Sequence, residues 1–281
     1  STAETAGTAI HSIAQFYQPY SSVPTNAQYI PLTIAGQNFT DPAGNGYSNG
    51  YKNYSAQPLF VGEPQYADIR QGYVGDCYLL ASLASVAMTD PNVIRQMATP
   101  LGDGTYAVRF YRNGQAVYLR VDGDLPTYYN TLAFAGTGAQ GEIWAPVIEK
   151  AYAFFRYGMN SYASIEGGWM STVYKEMTNL NALSKVISGT GADAAAFIAA
   201  NLAAGHAVTL GSKSAAASPV IGSHAYMVKS VETVDGATYV TVYNPWGVDG
   251  VSYDSNRSDG VLRLPLSTFA ANFTTAVVCA A

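Results

Sequence analysis

Gln71-Gly72-Tyr73-Val74-Gly75-Asp76 forms a polar, glycine-punctuated loop that ends in a single cysteine, Cys77, and an apolar run from Tyr78 to Leu83 follows it. A cysteine at the first turn of a helix meets unpaired backbone N–H groups, and the helix dipole there favours a thiolate. Gln71 places a side-chain N–H donor six residues before the sulfur, and a donor beside an attacking thiolate is what an oxyanion hole requires. Taken alone, a cysteine in apolar surroundings is a small buried hydrophobe. A nucleophile needs a histidine and a group to orient that histidine.

Three histidines are present: His11, His206 and His224. His224 opens a strand-like run through Glu232, Asp235-Gly236 signals a hairpin, and the return run Thr238–Tyr243 leads into Asn244-Pro245-Trp246-Gly247. His224 and Asn244 therefore lie at the open ends of adjacent antiparallel strands. A strict two-residue loop would set Gly247, not Asn244, opposite His224, so the spacing predicts a bulge or longer loop absorbing about three residues, roughly 10 Å of strand. An Asn carbonyl beside an imidazole fixes its tautomer and ring orientation. His206 follows Gly205, a natural helix cap, and no Asn-Pro-Trp-Gly follows a hairpin from it. His11 reads as a solvated surface residue.

The elements that must carry these groups follow from periodicity. Leu79, Leu83 and Val86 share one helical stripe and Leu80, Ala84 and Ala87 another, so the helix after Cys77 is apolar on nearly all sides and belongs in the interior. Thr89 or Asp90 caps a second helix with Pro91 at its first position. Tyr106–Phe110 and Ala116–Val121 flank Asn113-Gly114, a hairpin signal. Ile143–Phe155 reads as an amphipathic helix that tolerates Pro146 in its first turn, and Ala192–Ala204 as an alanine-rich helix before the strand Ala207–Gly211. Helices before Gly167-Gly168 and strands after it make the fold class α+β.

The first 59 residues differ from the rest. Thr8–Tyr17 could form a short helix, and Gln37–Ser55 reads as extended loop. A solvated extension is the plainer interpretation, and a pro-segment lying across the cleft is the sharper one. With 281 residues and a formal net charge of −5, the chain is long enough for a substantial core and shows no basic footprint for nucleic acid. No apolar run approaches the ~20 residues needed to span a bilayer. Two cysteines give no disulfide framework, and Cys279 reads as a buried residue.

Gln71-Gly72, Gly75-Asp76-Cys77, Leu79-Leu80-Ala81, His224-Ala225-Tyr226 and Asn244-Pro245-Trp246-Gly247 together resemble the protease core of the calpain family, a branch of the papain-like cysteine peptidases. The resemblance extends to Val121–Thr127, to Glu142–Ala153, to Gly167-Gly168 and to Asp259–Cys279, so it covers the chain from about Phe60 onward. It implies a two-lobe papain-like fold with the active-site cleft between the lobes. The chain then divides into an N-terminal extension (1–56), a helical lobe with the nucleophile (57–168) and a β-rich lobe with the His and Asn (169–281).

The function so implied is a monomeric cysteine endopeptidase acting on protein or peptide substrates through a thioester. Cys77 is the nucleophile, His224 the base, Asn244 its orienting group and Gln71 an oxyanion donor. Trp246 screens the His–Asn bond, while Gly168 and Ser223 meet substrate backbone. The chemistry needs no cofactor. Asp68 and Glu142 match the positions where calpain cores bind calcium, so the resemblance allows one calcium site; the second calcium loop, around Val248-Asp249-Gly250-Val251, is poorer in acidic residues. Two departures stand out: Tyr78 follows the nucleophile where the family usually has Trp, and Ser223 replaces the usual glycine before the histidine. The same residues also suit a papain-fold acyltransferase or transamidase, or an inactive binding module. Resemblance points to an intracellular protein, whereas composition suits a secreted or periplasmic one.

Overall fold

Helix α1 (Cys77–Thr89) has ten consecutive buried residues from Tyr78 to Ala87, so its lack of a polar face is matched by neighbours all round. These neighbours come from a computed structural model of the chain, which describes residues 39–251 and 253–280 together with 13, 16–18 and 30–32. Helices α2 (Pro91–Met97), α3 (Trp144–Phe155) and α4 (Met170–Thr178) pack on one side of α1. On the other lie β10 (Ala207–Ser212) and β11 (Ala225–Val234). Asp90 caps α2 by accepting from the Asn92 N–H at 3.1 Å, with Pro91 in the first turn.

β10 and β11 belong to an antiparallel sheet of six strands. The others are β12 (Ala237–Tyr243), β13 (Val261–Pro265), β14 (Phe273–Cys279) and β9 (Leu183–Val186), in the order β13-β12-β11-β10-β14-β9. Both faces are covered. Ala225 and Met227 face the core around α1, while the alternate residues Tyr226 and Val228 join a second cluster with Ile198 of α5 (Ala192–Ala203) and Phe269 of α6 (Leu266–Asn272). This period of two is why a strand buried on both faces reads as a continuous apolar run.

The chain before Gly167 is less purely helical than its sequence suggests. It carries one sheet of order β2-β1-β6-β5-β4, made from β1 (Phe16–Gln18), β2 (Ile30–Leu32), β4 (Ala98–Pro100), β5 (Thr105–Arg112) and β6 (Gln115–Asp122). A smaller sheet joins β3 (Gly50–Asn53), β7 (Asp124–Tyr128) and β8 (Thr131–Leu132). The β5–β6 hairpin turns at Asn113 and Gly114, whose φ values of 52° and 81° are those of a tight two-residue turn. Most of Thr8–Tyr17 and all of His11 lie outside the described residues, and Phe16 and Tyr17 fall in β1. Residues 41–53 are built into the fold: β3 pairs with β7, and Asp41 binds Lys150 of α3. Among the described residues, no helix is long and apolar enough to cross a membrane.

Candidate active site

The loop that delivers Cys77 is fastened to the hairpin that delivers His224. The Gln71 N–H donates to the Pro245 carbonyl at 2.7 Å, and the Tyr243 hydroxyl donates to the Ile69 carbonyl at 2.8 Å. A cleft of ≈ 530 Å³ results, with Gln71, Cys77, Gly168, Ser223, His224 and Trp246 in its lining. Asn244 is fully buried behind them.

The hairpin reaches this arrangement with a smaller correction than its spacing predicts. Its loop is the strict two-residue Asp235-Gly236, with Val234 paired to Ala237, and one bulge between Val228 and Ser230 shifts the register by a single residue. Continued past the last pair, Met227 with Tyr243, that register sets His224 across from Trp246. Asn244 is then a diagonal neighbour, within reach of a long side chain. His224 Nε2 and Asn244 Oδ1 are 2.8 Å apart.

The proton on that bond can be assigned. Asn244 Oδ1 also accepts from the Trp246 N–H at 3.1 Å, and Asn244 Nδ2 donates to the Asp249 carbonyl at 3.3 Å. The amide is thereby held with its oxygen toward the ring, so Nε2 carries the hydrogen and Nδ1 is the basic nitrogen. The Trp246 ring lies 4.9 Å from the imidazole and the Tyr226 ring meets it edge-on at 5.0 Å. The sequence counts Tyr226 in its His-Ala-Tyr motif without giving its ring a role, and the Asp249 carbonyl, a backbone acceptor, leaves no signature in residue types.

Electrostatics differ from the expectation of a helix-stabilised thiolate. Burial pushes the Cys77 thiol up to about 11, reinforced by the Asp76 carboxylate and opposed by nearby backbone N–H groups. Burial also pulls His224 down to about 4, against the Asn244 hydrogen bond that raises it. Desolvation outweighs the helix terminus, and it favours the neutral thiol and the neutral imidazole. No hydrogen bond joins Cys77 to the His224 ring among the described residues.

The glycines and their replacements have specific causes. A Cβ on Gly168 would fall 2.4 Å from the Tyr78 ring, so the smallest residue is required there by the aromatic beneath it. A Cβ on Gly72 would meet the Phe134 and Ala133 carbonyl oxygens at 2.3 and 2.4 Å, where the sequence suggested close approach of a ligand. Tyr78 points its hydroxyl away from the sulfur, donating to the Ile165 carbonyl at 2.9 Å and accepting from Arg156, which also donates to the Gly167 carbonyl at 2.7 Å. Ser223 has φ +51°, a left-handed conformation in which an L side chain costs about 1–2 kcal/mol. Ser223→Gly is therefore expected to raise stability by about 0.5–1 kcal/mol after the extra chain entropy of glycine; an unchanged urea midpoint would show that the Ser side chain compensates.

Gln71 lies in the cleft with Nε2 donating to the Val74 carbonyl at 2.7 Å, which leaves its second N–H uncommitted. Asp68 and Glu142 are buried and in hydrogen-bond contact with each other. Trp144 Nε1 donates to Asp68 at 3.0 Å, and the Gln140 N–H donates to Glu142 at 3.0 Å. Burial raises the Asp68 carboxyl to about 6, against the Gln65 and Trp144 hydrogen bonds that lower it. Asp41, Asp122 and Asp124 also converge, and there the cation is Lys150, whose Nζ is 2.6 Å from both Asp41 and Asp122. His206 is paired with Asn201 at 2.9 Å at the end of α5 and does not line the cleft.

Compared with known proteins, residues 50–279 match the profile described as calpain family cysteine protease. The calpain-type cysteine protease DEK1 of Zea mays is 30% identical over 211 residues, covering 68% of this chain and 9% of the relative. Calpain clp-4 of Caenorhabditis elegans is 27% identical over 210 residues, 68% of this chain and 28% of the relative. Calpain-9 of Rattus norvegicus is 28% identical over 208 residues, 68% of this chain and 30% of the relative. The chain thus spans less than a third of each of these relatives.

Proposed function

The chain belongs to the calpain family of cysteine proteases, and from that premise we propose that it is an endopeptidase that cleaves protein or peptide substrates with Cys77, His224 and Asn244. The observation that carries this reading is the 2.8 Å contact of His224 Nε2 with Asn244 Oδ1, which leaves Nδ1 as the base in a cleft that Cys77 also lines. His224 takes the thiol proton, and the thiolate attacks the scissile carbonyl. Gln71 and the Cys77 N–H stabilise the oxyanion. His224 then protonates the leaving amine, and water hydrolyses the thioester. Because thiol and imidazole are not hydrogen-bonded at rest, a closing movement precedes chemistry. Residues 57–168 and 169–281 are assigned as the two lobes that close, with Gly168 and Ser223 on either side of an extended substrate strand.

Asp68 and Glu142 suit a calcium ion: two buried carboxylates in contact, with the Asp68 proton bound unusually tightly and no Lys or Arg paired to either among the described residues. A calcium ion there would supply charge neutralisation and take no part in bond breaking. Digestion of a peptide library with and without a chelator tests the assignment. New peptide termini are expected, with cleavage falling about tenfold on chelation. Incorporation of an added amine without peptide release would move the reading to a transamidase, and no turnover at all would leave a binding module.

The pH dependence follows from His224. With its folded pKa near 4 against an ordinary 6.5, the base stays neutral on mild acidification, so the acid limb of kcat/KM is expected near pH 4. The linkage has the same direction. A depressed histidine contributes stability that is present above pH 6.5 and lost as pH falls from there to about 4. An acid limb at the ordinary histidine value would contradict the neutral resting pair.

A further inference from the structure

Asp76, the residue immediately before the nucleophile, is fully buried, and beyond its own backbone N–H no N–H or O–H donor among the described residues serves its carboxylate oxygens. It sits at the N-cap of α1 yet does not cap the helix. The group it touches is the carboxyl of Glu149, which projects from the middle of α3 and is itself 1% exposed. Both Glu149 oxygens lie 3.0 Å from the Ala135 nitrogen, the one N–H donor to them among the described residues.

Two carboxylates in contact in a dry interior cannot both ionise; one proton held between them gives each an adequate partner. The surrounding groups offer no other remedy. No Lys or Arg pairs with either carboxylate among the described residues. Lys150, next in the chain, is turned to Asp41 and Asp122. From α1, Cys77 and Tyr78 feel the Asp76 charge. From the 3-10 turn Tyr162–Ile165, the buried Tyr162 hydroxyl feels both carboxylates and has no hydrogen-bond partner among the described residues.

We propose that Asp76 and Glu149 share a single proton, and that this dyad acts as a positioning pair that joins α1 to α3 and sets how readily Cys77 ionises. With the proton in place, one negative charge lies behind the sulfur; without it there are two, and the thiolate is disfavoured twice over. Burial, the first cause in both groups, raises both carboxyls above their ordinary range, so the pair as a unit retains one proton and carries one charge, next to Cys77. The Asp76 carboxylate is itself one of the causes that raise the thiol.

The inference rests on Cys77 being the reactive thiol, and its test avoids turnover, so an inactive protease would not be mistaken for a failed dyad. In the full chain at about pH 8, above the titration of Asp68, infrared spectroscopy is expected to show a carboxylic-acid C=O band that disappears in Glu149→Gln. Glutamine keeps a donor toward Asp76 and leaves one charge, so iodoacetamide alkylation of Cys77 near neutrality should stay within about threefold of the parent. In Asp76→Asn/Glu149→Gln no charge remains, and the thiol should titrate about one unit lower, tenfold more thiolate at a fixed pH. A purely structural pair would leave the thiol titration alike in the single and double variants. A parent without the acid band, or a double variant whose thiol titrates with the parent's, overturns the proposal. Should Glu149→Gln fail to fold, the parent band and the thiol titration of the double variant, which leaves no buried charge, decide it.

Discussion

Cys77→Ala is expected to remove peptide hydrolysis almost entirely, with kcat/KM falling by about 10⁴–10⁶ while the fold is retained. The side chain is half-buried at the first position of α1, and its loss deletes one sulfur from the wall of an open cleft rather than from the packed interior. Stability should therefore change little. His224→Ala should cost a similar factor, because a thiol held near pKa 11 supplies almost no thiolate without a base to take its proton. The double variant should be no worse than either single one, since the two residues act as a unit. Asn244→Ala should be milder, leaving both reacting groups but freeing the ring that Oδ1 now holds. Initial rates on a fluorogenic peptide measure all four. More than about 1% residual activity in Cys77→Ala would remove the nucleophile assignment.

The proposed reactive groups stand out in the sequence because their chemistry leaves marks in residue type. A Gly-Asp-Cys before an apolar run and a histidine opening a hairpin that closes on Asn-Pro-Trp-Gly are local patterns, and both hairpins turn where Asn113-Gly114 and Asp235-Gly236 place them. What could not be read was set by contacts distant in sequence. The single bulge near Lys229, in place of a three-residue correction, depends on how β11 packs on α1 and pairs with β12. Gly168 is explained by the Tyr78 ring beneath it, and the neutral state of Cys77 by burial that local sequence does not encode. The strands before Gly167 other than the β5–β6 hairpin were hidden for the same reason: β3 is a four-residue segment whose partner, β7, lies far along the chain. Asp68 and Glu142 are acidic residues with nothing local to mark them as interior, yet they are buried against Trp144 and each other.

Lys150→Met is expected to destabilise the protein by about 3–5 kcal/mol, the largest loss predicted for any single side chain outside the cleft. The ammonium is 2% exposed and is held by Asp41 and Asp122 at 2.6 Å and by the Asp124 carbonyl at 2.5 Å. Methionine fills nearly the same volume, so the penalty comes from charge rather than from a cavity. Three carboxylates, Asp41, Asp122 and Asp124, would remain facing one another, and burial already raises Asp41 above its ordinary value with the lysine present. In the variant Asp41 should rise further, and acidification should restore part of the loss, since a carboxyl with a raised folded pKa contributes stability that is lost as pH increases. Adding Asp41→Asn and Asp122→Asn should recover more, because neutralising the two carboxylates that bind the lysine removes most of the unpaired charge. Urea denaturation of the three variants across pH measures this. A loss below about 1 kcal/mol in Lys150→Met would mean that water reaches the carboxylates once the lysine is gone. The cluster joins three separate pieces of chain, the segment before β3, the β6–β7 corner and α3, and α3 also carries Glu149. Loosening it should therefore reach the floor of the cleft, and Cys77 alkylation in Lys150→Met should depart from the parent profile in proportion to the stability lost.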